Sequence, residues 1–159
     1  MLGTAISVAL WLLLLYLQSW IALPEFDIAP GWRWFFSLLF GIDALVAIIW
    51  AHRSLDPRRT DGQQLVVTGP YALLRHPMYA AVLWNGTAVT AFALGSWLVL
   101  VAVVPLHLIW VWLVRLEEAQ LAARYGAAYE AYRADTGQFF PRWESLKKTI
   151  RAGRSKNSE

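Results

Sequence analysis

Two short stretches of this 159-residue chain concentrate the side chains best suited to chemistry. The first, Thr68-Gly69-Pro70-Tyr71-Ala72-Leu73-Leu74-Arg75-His76-Pro77-Met78-Tyr79, gathers two tyrosines, an arginine and a histidine around two X-Pro steps. Proline fixes its own φ and pushes the preceding residue out of the helical region, so this spacing predicts a shaped loop rather than a solvated linker. The second is Glu117-Glu118, followed by Leu121, Tyr125, Ala128, Tyr129 and Tyr132. From Glu118 onward these recur at the three-and-four spacing of one helical face, which predicts that Glu118 shares a stripe with three tyrosines. Carboxylates and aromatic faces both attract cations, so the two stretches suit a cationic organic group. Each has a plainer reading. Arg75 and His76 could meet lipid phosphates while Tyr71 and Tyr79 join an aromatic belt, and paired glutamates favour the first turn of any helix. His76 is either a proton acceptor or a supplier of ring and backbone contacts, and Arg75 or Arg115 either orients an anionic group or snorkels to phosphate.

The elements that must position these residues are set by hydropathy. Of all residues 58% are hydrophobic and 16% charged, with ten tryptophans, which is too apolar for an ordinary soluble domain of this size. A spanning helix needs about 20 apolar residues. A first apolar segment runs from Thr4 to Leu23, ended by Pro24, Glu25 and Asp27, with no basic residue before it, and is read as a retained span rather than a signal peptide. A second runs from Trp32 to Trp50, with Arg33 placed to snorkel outward. From His52 to His76 the chain is polar and carries the turn signals Asp56-Pro57-Arg58-Arg59 and Asp61-Gly62. Ala80 to Val114 holds no formal charge and would reach about 52 Å as one helix, too long for a single crossing. Gly95-Ser96 is the best breaker, giving spans near Met78–Leu94 and Trp97–Val114, with Pro105 a kink in the latter. Arg115 to Ala134 reads as a further helix stopped by Thr136-Gly137 and Pro141. The tail after Arg142 is basic, and either lies on anionic headgroups or is disordered.

Thirteen of the fourteen Lys and Arg residues fall in His52–His76 or after Val114, only Arg33 elsewhere. The positive-inside rule therefore puts both polar segments and both termini on the cytoplasmic side of a four-span membrane protein. The same rule accounts for the net charge of +3, so the basic residues need no nucleic-acid partner. Without cysteine, disulfides, thiolate metal sites and a thiol nucleophile are excluded. Within the spans, Asp43 and His107 serve either a substrate or proton path or interhelical hydrogen bonds, and Asn85 is expected to join helices.

The succession Gly-Pro-Tyr (69–71), Arg-His-Pro-Met-Tyr (75–79), a hydrophobic hairpin, Glu117-Glu118, Leu121, Tyr125-Gly126, Tyr129, Tyr132 and Pro141 resembles the isoprenylcysteine carboxyl methyltransferase and phospholipid methyltransferase superfamily. The resemblance covers about Val67 to Pro141. It implies an integral membrane enzyme that uses S-adenosylmethionine. His76, Pro77 and Tyr79, with Tyr71 as an additional wall, would touch the cofactor from one side; Glu117, Glu118, Tyr125, Tyr129 and Tyr132 would enclose it from the other. The candidate catalytic residues are His76, Glu118 and Arg75, with no metal. The expected fold is all-α and polytopic, with about four transmembrane helices and a cytoplasmic C-terminal helix; residues 1–141 form one methyltransferase-like membrane domain, and 142–159 a basic tail. The acceptor implied is a lipophilic small molecule or lipid, such as the carboxylate of an isoprenylcysteine-like compound, a phospholipid amine or a small hydrophobic thiol. The competing reading is a non-enzymatic membrane subunit or small transporter that binds headgroups or a partner protein.

Overall fold

The computed structural model describes residues 2–20, 25, 27–55 and 64–156. Pro24 and the turn signals at Asp56–Arg59 and Asp61-Gly62 lie outside them. The described residues form helices and no strands: α1 (Leu2–Trp20), α2 (Pro30–Ser54), α3 (Pro77–Ala80), a π-helical turn (Ala81–Gly86), α4 (Thr87–Leu94), α5 (Trp97–Val101), α6 (Val103–Tyr125), α7 (Ala127–Asp135) and α8 (Trp143–Lys156). Two stretches, Pro30–Ser54 and Trp97–Tyr125, are long and apolar enough to cross a bilayer, and Ala5–Trp20 is a shorter apolar helix. The chain divides into two compact units: Met1–Val46 with Ala81–Leu113, and Ala47–Ala80 with Val114–Glu159.

In the first unit, small and polar residues let α2 approach α4. A Cβ on Gly41 would sit 3.8 Å from Val89, in ordinary contact. Ser37 donates to the Val89 carbonyl at 3.2 Å, and Phe36 and Phe40 pack on Phe92 with centroids 5.1 and 5.8 Å apart. Close backbone approach and side-chain-to-carbonyl bonds are what join helices in a lipid solvent, where apolar burial offers little driving force. Further along α2, Asp43 accepts from Asn85 Nδ2 at 2.7 Å, so the two in-span polar residues satisfy each other across helices. The ring of His107 packs on that of Trp84, with centroids 5.4 Å apart. On the other side, Trp110 Nε1 donates to the buried Ser7 Oγ of α1 at 3.0 Å.

The hairpin breaks where Gly95-Ser96 predicts. Gly95 takes φ +67°, its amide donates to the Phe92 carbonyl, and that of Ser96 donates to Ala91. This pair of bonds closes a helix C-terminus around a left-handed residue, a conformation glycine adopts without steric cost. Ser96 Oγ then accepts from the Val99 amide and starts α5. Arg33 corrects an expectation. Instead of snorkelling outward it donates to the Phe92 and Ala93 carbonyls at 3.3 and 3.2 Å, and so covers the negative end of α4.

Pro105 interrupts its span as expected. It sits in the first turn of α6, and the regular helix is interrupted at Ala102, one turn earlier. Without an N–H, proline cannot donate to the carbonyl four residues back, so the α5–α6 register loosens there. Two boundaries move. α2 continues through His52 and Arg53, and the positive charge of Arg53 suits its last turn. The helix expected from Arg115 to Ala134 is instead the continuation of α6, cut by Gly126 at φ +53° and resumed as α7. The stretch after Arg142 is helical as α8, which overturns the disordered reading for that part of the tail.

Candidate active site

The second unit holds both chemistry-bearing stretches. Gly69–Ala72 is a single 3₁₀ turn in which Gly69 has φ +62°, and a Cβ there would meet Ser54 Oγ at 2.7 Å. Pro70 and Tyr71 are buried by that turn. Downstream, the His76 carbonyl accepts from the Ala80 amide and Pro77 opens α3, a position where proline's missing donor is harmless. The loop is thus shaped and buried, not an anchor trailing at a surface.

The segment after α7 supports it from below. Arg75 and His76 amides donate to the Gly137 and Gln138 carbonyls at 2.8 and 3.2 Å, and Leu74 and Gly137 pair as an isolated parallel bridge. Gly137 allows the tight turn that follows, because a Cβ there would collide with the Phe140 carbonyl oxygen. Tyr132 of α7 ties in the upper part of the loop, its hydroxyl donating to the Tyr71 carbonyl at 2.8 Å and, more weakly, toward Leu74 at 3.4 Å.

Around Glu118 the polar groups converge. Its Oε1 accepts from Arg75 Nε at 2.9 Å, from Gln138 Nε2 at 3.2 Å and from His76 Nε2 at 3.2 Å. Arg133 Nε lies 3.9 Å from the other oxygen. An ionised carboxylate only accepts, so the bond to Glu118 puts the imidazole proton on Nε2. Nδ1 then faces Glu117, 4.0 Å away. The imidazole is stacked on Tyr79, 5.6 Å between centroids at 11°, and backed by Phe139 at 5.8 Å. Arg75 also donates to the carbonyls of Arg133 and Thr136 at the end of α7. It thus serves as a cap of α7 and a counter-ion of Glu118.

A cavity of about 180 Å³ adjoins this cluster. Tyr71, His76, Pro77, Met78 and Tyr79 form one wall, Glu117, Leu121, Tyr125 and Tyr132 another, and Leu55 with Gln64–Val66 a third. Of the residues expected to surround a cofactor, Tyr71, His76, Pro77, Tyr79, Glu117, Tyr125 and Tyr132 line it. Glu118 and Tyr129, and the expected catalytic Arg75, do not. The reason is one of phase. On α6 the lining positions are Glu117, Leu121 and Tyr125, spaced by four, whereas the predicted stripe began one residue later. The break at Gly126 then resets α7, so that Tyr132 faces the cavity and Tyr129 is wholly buried beside it. The acidic pair is accordingly split: Glu117 is about half exposed at the cavity, and Glu118 is buried under the loop.

The tyrosines stay neutral. Burial, reinforced by the charge of Glu117, pushes the Tyr71 hydroxyl up to about 12. Burial, with a smaller effect of Glu118, does the same for Tyr129, and burial raises Tyr132 too. The Tyr129 hydroxyl hydrogen-bonds to none of the described residues. A second cavity, of about 760 Å³, is lined mainly by Trp50, Val67–Gly69, Ala72, Leu73, Ala128, Ala131, Tyr132, Asp135 and Thr136, with Ser145 and Thr149 of α8. Tyr132 borders both cavities.

Sequence reasoning missed Gln138 and Phe139, which complete the cluster from a segment read only as a helix stop, and Gln64–Val66, which carries no chemical signal. Gly137 was the available hint, because a glycine two residues after a helix marks close approach as readily as an ending.

The profile of the phospholipid methyltransferase family matches residues 6–128, from α1 to the start of α7. It thus takes in the first two helices, where the sequence resemblance was hydropathy alone, and stops just short of Tyr129 and Tyr132. No curated protein matches the chain. With membrane-length apolar helices and a family match over most of its length, the chain belongs to the phospholipid methyltransferase family and is a membrane methyltransferase.

Proposed function

We propose that this protein transfers a methyl group from S-adenosylmethionine to the amine of a membrane lipid, with His76 and Glu117 at the reacting side of the smaller cavity. The observation that carries this reading is the held imidazole: His76 Nε2 is engaged by Glu118, leaving Nδ1 toward Glu117 at the cavity wall. A proton acceptor oriented by a buried carboxylate is a recurring catalytic arrangement.

The residues fit the cofactor chemically. Glu117 suits an ammonium head, and the faces of Tyr71, Tyr79, Tyr125 and Tyr132 suit a sulfonium and an adenine. When bound, the cofactor supplies an electrophilic methyl group. The chain's own part is to hold the loop rigid, present neutral aromatic faces beside the charge of Glu117, exclude water and take up the proton an amine must lose at His76 Nδ1. Among the described lining residues of both cavities no Lys or Arg occurs, and the charged ones are Glu117 and Asp135. The negative charge of these two side chains suits a cationic or amine-bearing acceptor. We place the termini and both polar segments in the cytoplasm, on four crossings, because the basic residues cluster in those segments.

Calorimetric titration of the detergent-purified protein with S-adenosylmethionine and S-adenosylhomocysteine tests the core of the reading. Binding of both is expected, and at least about tenfold weaker binding to Glu117→Gln, the loss of roughly one charge-assisted contact. Folded protein that binds neither ligand would overturn it. Methyl incorporation into phosphatidylethanolamine but not into a prenylcysteine is the expected acceptor pattern, and the reverse would return the carboxylate.

A further inference from the structure

α8 is turned inside out for a helix resting on a water-exposed surface. Its side that lines the larger cavity carries the small polar residues Ser145, 2% exposed, and Thr149, with the part-buried Leu146 beside them. Its outward side carries Trp143, 64% exposed, and Ile150, 58% exposed, with the ammonium of Lys147 5.3 Å over the Trp143 ring. Phe140, just before the helix, is 56% exposed as well. Lys147 shares this stripe with Trp143 and Ile150, and the sequence of the helix adds Lys148, Arg151, Arg154 and Lys156 against one acid, Glu144. An indole and a branched aliphatic interleaved with cations suit one environment, the boundary between headgroups and acyl chains: the ring and the aliphatic group enter, and the cations stay with phosphate.

We infer that α8 lies on an anionic bilayer surface through Trp143, Lys147 and Ile150, so that lipid headgroups hold one wall of the larger cavity in place. This goes beyond the methyl-transfer reading and does not depend on it. The charge of the stripe selects the occupant. A second copy of this chain would present the same cations and repel it, whereas anionic headgroups complement it.

The chain has no cysteine, so a single one can be introduced and labelled. Full-length Ile150→Cys carrying an environment-sensitive fluorophore is placed in nanodiscs of phosphatidylcholine alone or with phosphatidylglycerol. Blue-shifted emission and severalfold stronger quenching by brominated acyl chains are expected in the anionic discs. Both effects should be lost in about 1 M salt, where screening is nearly complete, and in the triple variant K147Q/R151Q/R154Q. Circular dichroism of that variant, unchanged in neutral discs, shows that the helix is intact. Equal quenching by aqueous iodide in both lipids would overturn the inference. So would protection that persists in neutral discs and grows with protein concentration, the signature of a second copy. Cofactor titration of the same labelled protein separates this outcome from any failure of the methyl-transfer reading.

Discussion

Arg33 and Arg75 both dock on the C-terminal carbonyls of a helix, one in each unit, yet they are neutralised differently. Arg33 is half-buried, and its partners are the Phe92 and Ala93 carbonyls of α4, the partial negative charge of a helix end. Arg75 has a side chain only 8% exposed, and besides the carbonyls of α7 it has the full charge of Glu118 at 2.9 Å. The difference follows from desolvation. A guanidinium that keeps some water tolerates a half-charge partner, whereas one withdrawn from water needs a whole counter-ion and further donors and acceptors around it. The first unit accordingly joins helices by isolated polar pairs. The second builds one shared network, and the imidazole of His76 is part of it.

Breaking the network should therefore cost most. Glu118→Gln leaves Arg75 buried without its counter-charge, and a loss of about 3–5 kcal/mol is expected, read as a large drop in the thermal midpoint in detergent. Glu117→Gln, at the half-exposed neighbour, should leave that midpoint nearly unchanged. Equal midpoints for the two variants would mean that the acidic pair is not split as described.

Next comes the Arg33 cap. Gly95→Ala forces an alanine into the left-handed region and drives its Cβ into the Arg33 guanidinium, so both the turn and the cap suffer. About 2 kcal/mol is expected from the backbone cost and the weakened cap together. A Gly95→Ala protein as stable as the parent in denaturant titration would show that the hairpin can close another way.

Two tyrosines on α7 sharpen the contrast on one helix. Tyr132→Phe removes the bond to the Tyr71 carbonyl and should cost about 1 kcal/mol, with faster amide exchange in the 3₁₀ turn. Tyr129→Phe removes a buried hydroxyl that bonds to none of the described residues, and should be neutral or slightly stabilising. A marked loss at Tyr129 would reveal a partner for it.

The smallest effect is expected for Asn85→Leu in the first unit. It breaks a single interhelical bond to Asp43, and such bonds contribute about 0.6 kcal/mol on average in a membrane setting. Double-mutant analysis with Asp43→Leu, which removes the acceptor, should recover a coupling of that size. A much larger one would make Asp43 part of a network like that of Glu118.

Much of this was legible along the chain. Apolar runs, Gly95-Ser96 as the hairpin breaker and the two X-Pro steps of the loop are local properties, decided by transfer free energy and by steric limits on φ; the fold agrees with the breaker and the X-Pro steps, and two of the runs form described helices long enough to cross a bilayer. The composition of the site was legible too, because a proline-shaped loop rich in Tyr, Arg and His, with a paired glutamate, is written in consecutive residues. What only the tertiary structure decided was which member of each set faces the cavity. A shift of one residue turns a helical side chain by about 100°, and so exchanges Glu117 for Glu118. The break at Gly126 separates Tyr132 from Tyr129, and the Gly137–Phe139 segment enters through contacts some 60 residues distant from the loop it supports. These are outcomes of packing, where a buried guanidinium finds its counter-ion from another element, and no spacing within one element records them.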